Sequence, residues 1–306
     1  MEPKDLPLPR RAGQYMINLV LRAIMGLALA LPYRWRVPAA GWLISRVVAP
    51  LAGYDRRVRE NLTLAWPDLP EETVERLTRS VPDNAGRTLI EVYSGRQFAR
   101  HLEKYPPQGP GWEAMIAAQA EGRPVILATA HFGNFYALRI AAAARFGKVG
   151  GLYRPLSNVF FNRHWESALS QNGDQPIFPK GRRGLAEMMK FVRGGNVMVI
   201  LTDQHVSQGA PLRFFGRRAY TALSAFDIAL KTNAIAVPCY GVRSDDGLGF
   251  RLIFEEPIPH STPEEMAQAF NDSLEAQTRA HPGQWFWVHQ RWKAIGADTD
   301  EDEPLV

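Results

Sequence analysis

His131 stands where a titratable side chain can do chemistry. It follows the apolar run "PVILATA" (residues 124–130) and precedes "FGNFYALRIAAAAR", which has the pattern of a helix. A strand-to-helix turn presents its side chains at the carboxyl end of a sheet, where ligands of open α/β folds gather. Gly133 lets the backbone approach closely, and Asn134 can cap the helix. Helix amides at such a turn can also meet an anion or an oxyanion. The chemistry that fits is general base catalysis on a substrate hydroxyl; the alternative is a histidine that satisfies a turn. Five positions on, where a catalytic histidine often finds a carboxylate, the chain has Tyr136. A phenol with an ordinary pKa near 10 is neutral at pH 7. It can accept an imidazole N–H, but it cannot supply charge to steady an imidazolium.

Two more polar stretches fall at expected strand ends. One is Arg154 in "LYRPLSN"; the other is "TDQH" (residues 202–205) after "NVMVIL". Parallel strands would turn all three stretches into one crevice. Asp203 and His205 are the only pair with any suggestion of a metal, and the other histidines lack ligand spacing. No GxSxG, HExxH, GxxxxGK[ST] or GxGxxG pattern occurs. The basic turn "PKGRRG", with Arg182 and Arg183, reads as a solvated surface or a headgroup contact.

The elements that must position these residues change character along the chain. Residues 1–12 are Pro-rich and charged and are expected to be flexible. The apolar run "YMINLVLRAIMGLALAL" (residues 15–31) carries Arg22 and Asn18 inside it. It is short for a bilayer span, which needs about 20 apolar residues, and it contains a costly charge. A helix lying on or anchored to a membrane surface, with basic residues at the headgroups, fits it best. Residues 71–80 and 84–102 predict two helices. "YPPQGPG" (residues 105–111) predicts a linker between an N-terminal helical region (residues 13–104) and an α/β domain (residues 105–295). From there strands and helices alternate, and the strands are continuously apolar. That predicts a mostly parallel central sheet with helices on both faces. The acidic tail, residues 296–306, is expected to be disordered.

Composition sets outer limits. Hydrophobic residues make up 46% and charged residues 22% of 306, which is globular and allows a large core. A formal charge of +5 suits a surface that meets anions, though it is modest for this length. The single cysteine, Cys239, leaves no intrachain disulfide; within "AIAVPCYGV" it reads as a buried, inert thiol.

"HFGNF" (131–135), "YRPLSN" (153–158), "TDQ" (202–204), "FFGRRAYTALSAFDIALKTNAIAVP" (214–238) and "QWFWVHQRWK" (284–293) together resemble the bacterial lipid A biosynthesis acyltransferases. "RRVRENLTLAWPDL" (56–69) is similar to their N-terminal helical region, and residues 15–31 look like their membrane anchor. The resemblance implies a glycerol-phosphate-acyltransferase-like α/β fold. It implies transfer of a fatty acyl chain from acyl carrier protein to a lipid A precursor at the cytoplasmic face of the inner membrane. It implies a histidine base with an Asp or Glu five positions later, and no metal or organic cofactor. A lysophospholipid or other glycolipid acceptor is the nearest alternative. No nucleic-acid partner is expected. Arg154, Arg163 and Asn158 are candidate ligands for the acceptor's phosphate or the oxyanion, with Gly133 and Gln204 beside them. Tyr136 departs from the pattern, and three accounts of it stand. Asp203, or secondarily Glu166, serves His131; or the enzyme works slowly with Tyr136; or the chain is a lipid-binding homologue without turnover. If the site merely lacks its acid, Tyr136→Glu raises activity.

Overall fold

The computed structural model describes residues 7–170 and 174–293. The chain opens with α1 (Leu8–Ala30), α2 (Tyr33–Leu43), a π-helical turn (Ile44–Val48), α3 (Ala49–Leu51), α4 (Tyr54–Ala65), α5 (Glu71–Tyr93) and α6 (Gly95–Leu102). Then β1 (Pro107–Gln108), α7 (Pro110–Ala120), β2 (Val125–Thr129), α8 (Phe135–Phe146), β3 (Val149–Tyr153), α9 (Val159–Leu169), β4 (Ile177–Pro179), α10 (Arg182–Arg193) and β5 (Val197–Leu201) alternate. A hairpin of β6 (His205–Phe214) and β7 (Arg217–Thr221) follows. The described chain ends with α11 (Ser224–Thr232), β8 (Ile235–Arg243), β9 (Phe250–Phe254) and α12 (Pro263–Ala280).

Seven strands form the central sheet in the order β1-β9-β8-β2-β5-β3-β4. Every pair is parallel except β8–β9. This is the mostly parallel α/β sheet expected from the alternation. Side chains alternate across it to feed two cores. Val125 and Leu127 join Val197, Val199, Ile235 and Val237 on one face. Ile126 and Ala128 join Met198, Ile200 and Ala236 on the other. Both faces are therefore covered, and β2 and β8 are buried along their whole length.

The structure departs from the sequence expectation in three places and adds a hairpin. Helix α1 begins at Leu8, so part of the stretch expected to be flexible is helical. Helix α5 runs unbroken through Pro82, because one missing N–H does not outweigh the packing of Leu77 and Val81 on one buried face. The chain instead breaks at Gly95, whose φ is +48°. The expected linker contributes β1, whose Pro107 and Gln108 pair in parallel with Leu252 and Ile253. The β6–β7 hairpin had no sequence signal: its turn places Phe215 (φ 54°) and Gly216 (φ 70°) in the left-handed region. Two-residue turns of that kind usually carry Asn or Asp ahead of Gly, and phenylalanine hides the pattern. The expected disordered tail, residues 296–306, lies outside the described residues.

Candidate active site

Register brings the central pair together. Thr129 at the end of β2 is aligned with Leu201 at the end of parallel β5. His131 and Asp203 each stand two residues further on, so they meet side by side at the same edge of the sheet. His131 Nδ1 lies 2.9 Å from Asp203 Oδ1, and the His131 backbone N–H donates to Oδ2 at 2.9 Å. Trp285 Nε1–H donates to the same Oδ2 at 3.0 Å. Asp203 is fully buried. Burial alone would raise its carboxyl, but the charge and hydrogen bonds of His131, with His289 adding to them, hold it well below the usual carboxylate range. A carboxylate accepting at Nδ1 fixes the imidazole with Nε2 free as the base. The His131 side chain is 27% exposed, so that edge is reachable.

The segment "QWFW" (residues 284–287) locks the histidine loop from the other side. Phe286 N–H donates to His131 O at 2.9 Å, and Gly133 N–H donates to Gln284 O at 2.8 Å. Gly133 has φ +51°, and a Cβ there would sit 2.0 Å from Gly241 O. Glycine is thus required, and its amide is already used rather than open to an oxyanion. The Gly133 carbonyl accepts from Asn84 Nδ2 and Thr88 Oγ1, both at 3.0 Å. Asn134 caps α8 by accepting from Tyr136 N–H and Ala137 N–H, and donates to buried Glu91 at 2.7 Å. Glu91 pairs both oxygens with Arg243, at 2.7 and 2.6 Å.

A cavity of about 270 Å³ opens beside His131. Helix α5 supplies Val81, Ala85, Leu89 and Val92, and Phe135, Tyr136, Trp165 and Phe286 close it. Tyr136 is therefore a wall of this apolar space, and the carboxylate on His131 Nδ1 is Asp203. Burial pushes the Tyr136 phenol up, so it stays neutral. His289, unsuspected from sequence, packs its ring 4.7 Å from that of His131. Its Nε2 lies 3.0 Å from the Gln204 amide nitrogen, which donates to it. Burial, with repulsion from His131, lowers its pKa to about 4. Spacing carried no hint of it, because it lies within an aromatic run that reads as packing. That reading holds for Trp287, which is fully buried, while Trp285 also binds Asp203.

The other sequence candidates stand further out. Arg154 is exposed just past β3, at the same sheet edge, and Arg163 is exposed on α9. Asn158 spends its side chain capping α9 and donating to Gln14 O at 2.9 Å. Glu166 accepts from the Tyr153 hydroxyl and from Asn162, not from His131. Arg183 forms an exposed pair with Glu187. His205 does not share the Asp203 carboxylate, which is committed to His131 and Trp285. Cys239 is buried and its thiol is pushed up by burial, as an inert core thiol should be.

The family model of the bacterial lipid A biosynthesis acyltransferases matches residues 4–294. The chain belongs to that family. The acyltransferase is 27% identical over 254 residues to the lipid A biosynthesis lauroyltransferase of Escherichia coli K12, covering 77% of this chain and 78% of the relative. It is 23% identical over 297 residues to the lipid A biosynthesis palmitoleoyltransferase of the same organism, covering 92% of each. A lipid A biosynthesis acyltransferase of Haemophilus influenzae is 23% identical over 317 residues, covering 96% of this chain and 95% of its own length. The histidine–carboxylate pair of this acyltransferase is thus built from two strand ends, and position 136 belongs to the wall of the cavity.

Proposed function

We propose that this acyltransferase moves a fatty acyl chain from the thioester of an acyl carrier protein to a hydroxyl of a lipid A precursor. It works at the cytoplasmic face of the inner membrane. His131 is the general base, and Asp203 orients it. The observation that carries this reading is the 2.9 Å contact between His131 Nδ1 and the buried Asp203 carboxylate, beside an apolar cavity. His131 Nε2 takes the proton from the acceptor hydroxyl as its oxygen attacks the thioester carbon. Asp203, ionised throughout, steadies the imidazolium. The tetrahedral intermediate collapses to the ester, and the leaving thiolate takes the proton back from His131. The cavity lined by α5, Phe135, Tyr136 and Trp165 holds the acyl chain and keeps water from the thioester. Arg154, exposed at the same sheet edge, suits an acceptor phosphate; Gln204 acts through His289.

Purified protein given an acyl carrier protein thioester and a tetra-acylated lipid A precursor should acylate the precursor. His131→Ala should lower the rate by about 10²- to 10⁴-fold. Acylation of a lysophospholipid but not of the precursor would move the acceptor. Lipid binding with no acylation of any acceptor would leave a lipid-binding homologue without turnover.

A further inference from the structure

Acyl transfer through a tetrahedral intermediate calls for a hydrogen-bond donor where the thioester oxygen gains its charge. The turn that carries the base has its amides committed elsewhere. His131 N–H is bonded to Asp203, Phe132 N–H to Ala130 O, Gly133 N–H to Gln284 O and Asn134 N–H to Gly241 O. The Tyr136 and Ala137 N–H groups are bonded to the Asn134 side chain. Asn158 is spent on its own cap. Arg154 follows β3, two strands from β2, or about 10 Å away.

His289 is in contact with the base. Its ring meets the His131 ring edge-on at 4.7 Å. Asn61 of α4 donates to its carbonyl oxygen at 2.9 Å, its own N–H donates to Phe286 O at 3.2 Å, and the Phe286 ring packs edge-on against it at 4.8 Å. The ring is therefore held from both α4 and the aromatic segment. Gln204 Nε2–H donates to His289 Nε2 at 3.0 Å. In a neutral imidazole that leaves the proton on Nδ1. Burial and the neighbouring His131 keep the imidazole neutral, with its pKa lowered to about 4, while Asp203 pulls the other way. Among the described residues the Nδ1–H has no partner, and it is not sealed in the core. A neutral imidazole N–H can polarise a carbonyl. It does so without placing a second positive charge beside the imidazolium that His131 becomes.

We infer that His289 is a catalytic electrophile whose Nδ1–H holds the oxyanion of the tetrahedral intermediate, and that Gln204 is the positioning residue that fixes its tautomer. This role presupposes the acyl transfer proposed above. The acceptor oxygen bonds to the thioester carbon and gives its proton to His131 Nε2. The carbonyl electron pair moves onto oxygen and meets His289 Nδ1–H. When that pair returns, the carbon–sulfur bond breaks and the thiolate takes the proton from His131. His289 keeps its own proton throughout.

Steady-state rates of the full chain with an acyl carrier protein thioester and a tetra-acylated lipid A precursor test this. His289→Leu should lower kcat by about 10²- to 10³-fold, with the thioester KM within about threefold of the parent. His289→Asn carries an amide N–H at the place of Nδ1 and should recover at least about tenfold of that loss. An amide cannot replace a base or a proton relay, so an Asn variant as slow as the Leu variant overturns the electrophile. Gln204 is exposed, so Gln204→Leu should keep the parent's urea midpoint while kcat falls by about tenfold or more. Either Leu variant within about threefold of an active parent also overturns the inference. If the parent itself acylates no acceptor, the proposed function falls, a result distinct from an active parent with indifferent variants.

Discussion

Asp203 accepts the His131 backbone N–H and the Trp285 indole N–H and lies against His131 Nδ1, so the site already holds a carboxylate and Tyr136 has no charge to supply. The expectation for position 136 therefore reverses. Tyr136→Glu puts a carboxylate into an apolar wall and should lower acyl transfer about tenfold or more. Tyr136→Phe loses no bond to the base and should stay within about threefold of the parent. Initial rates at pH 7 with the acyl carrier protein thioester check both, and a gain for Tyr136→Glu would return the acid role to that position. His289 is a second residue-scale test. Its folded pKa, about 4, lies below the ordinary histidine value, so the unfolded chain binds more protons between pH 4 and 6.5. Stability should rise with pH through that window and level off above it. His289→Gln should flatten the rise by on the order of 2 kcal/mol, read from urea denaturation at pH 5 and pH 7. Asp203 was legible in the sequence because it ends an apolar strand. His289 and Trp285 were not, because they reach the site from a segment more than 80 residues downstream of Asp203.

At the scale of elements, the dyad follows from the parallel register of β2 and β5, and that register is written in two unbroken apolar runs. What holds the histidine loop against α5 was hidden. Glu91 and Arg243 sit in a helix and a strand with no local sign of pairing, yet both are buried and bonded bidentately. Asn84, Thr88 and Asn134 join them to the Gly133 turn. Glu91→Gln leaves the Arg243 guanidinium buried without its counter-charge and should cost about 3 kcal/mol or more. Urea unfolding followed by tryptophan fluorescence measures this, and a change below about 1 kcal/mol would contradict it. Gly133→Ala should abolish activity more than it lowers stability, since its Cβ would strike Gly241 O at the loop that carries the base. The β6–β7 hairpin and the unbroken α5 stayed illegible for local reasons: a phenylalanine at a left-handed turn position, and a proline whose helix packs regardless.

At the scale of the whole molecule, alternating apolar strands and helices foretold the sheet, and motif order along the chain foretold the family. Composition could not say which carboxylate serves the histidine, because that depends on which strand lies beside which. In the proposed mechanism His131 and Asp203 act as one unit. A double-mutant cycle with an acyl carrier protein thioester and a lipid A precursor tests it most directly. Asp203→Asn alone should lower kcat/KM by about 10³-fold, and adding it to His131→Ala should lower the rate little further. An Asp203→Asn protein within tenfold of the parent, or losses that simply multiply in the double variant, would contradict the dyad.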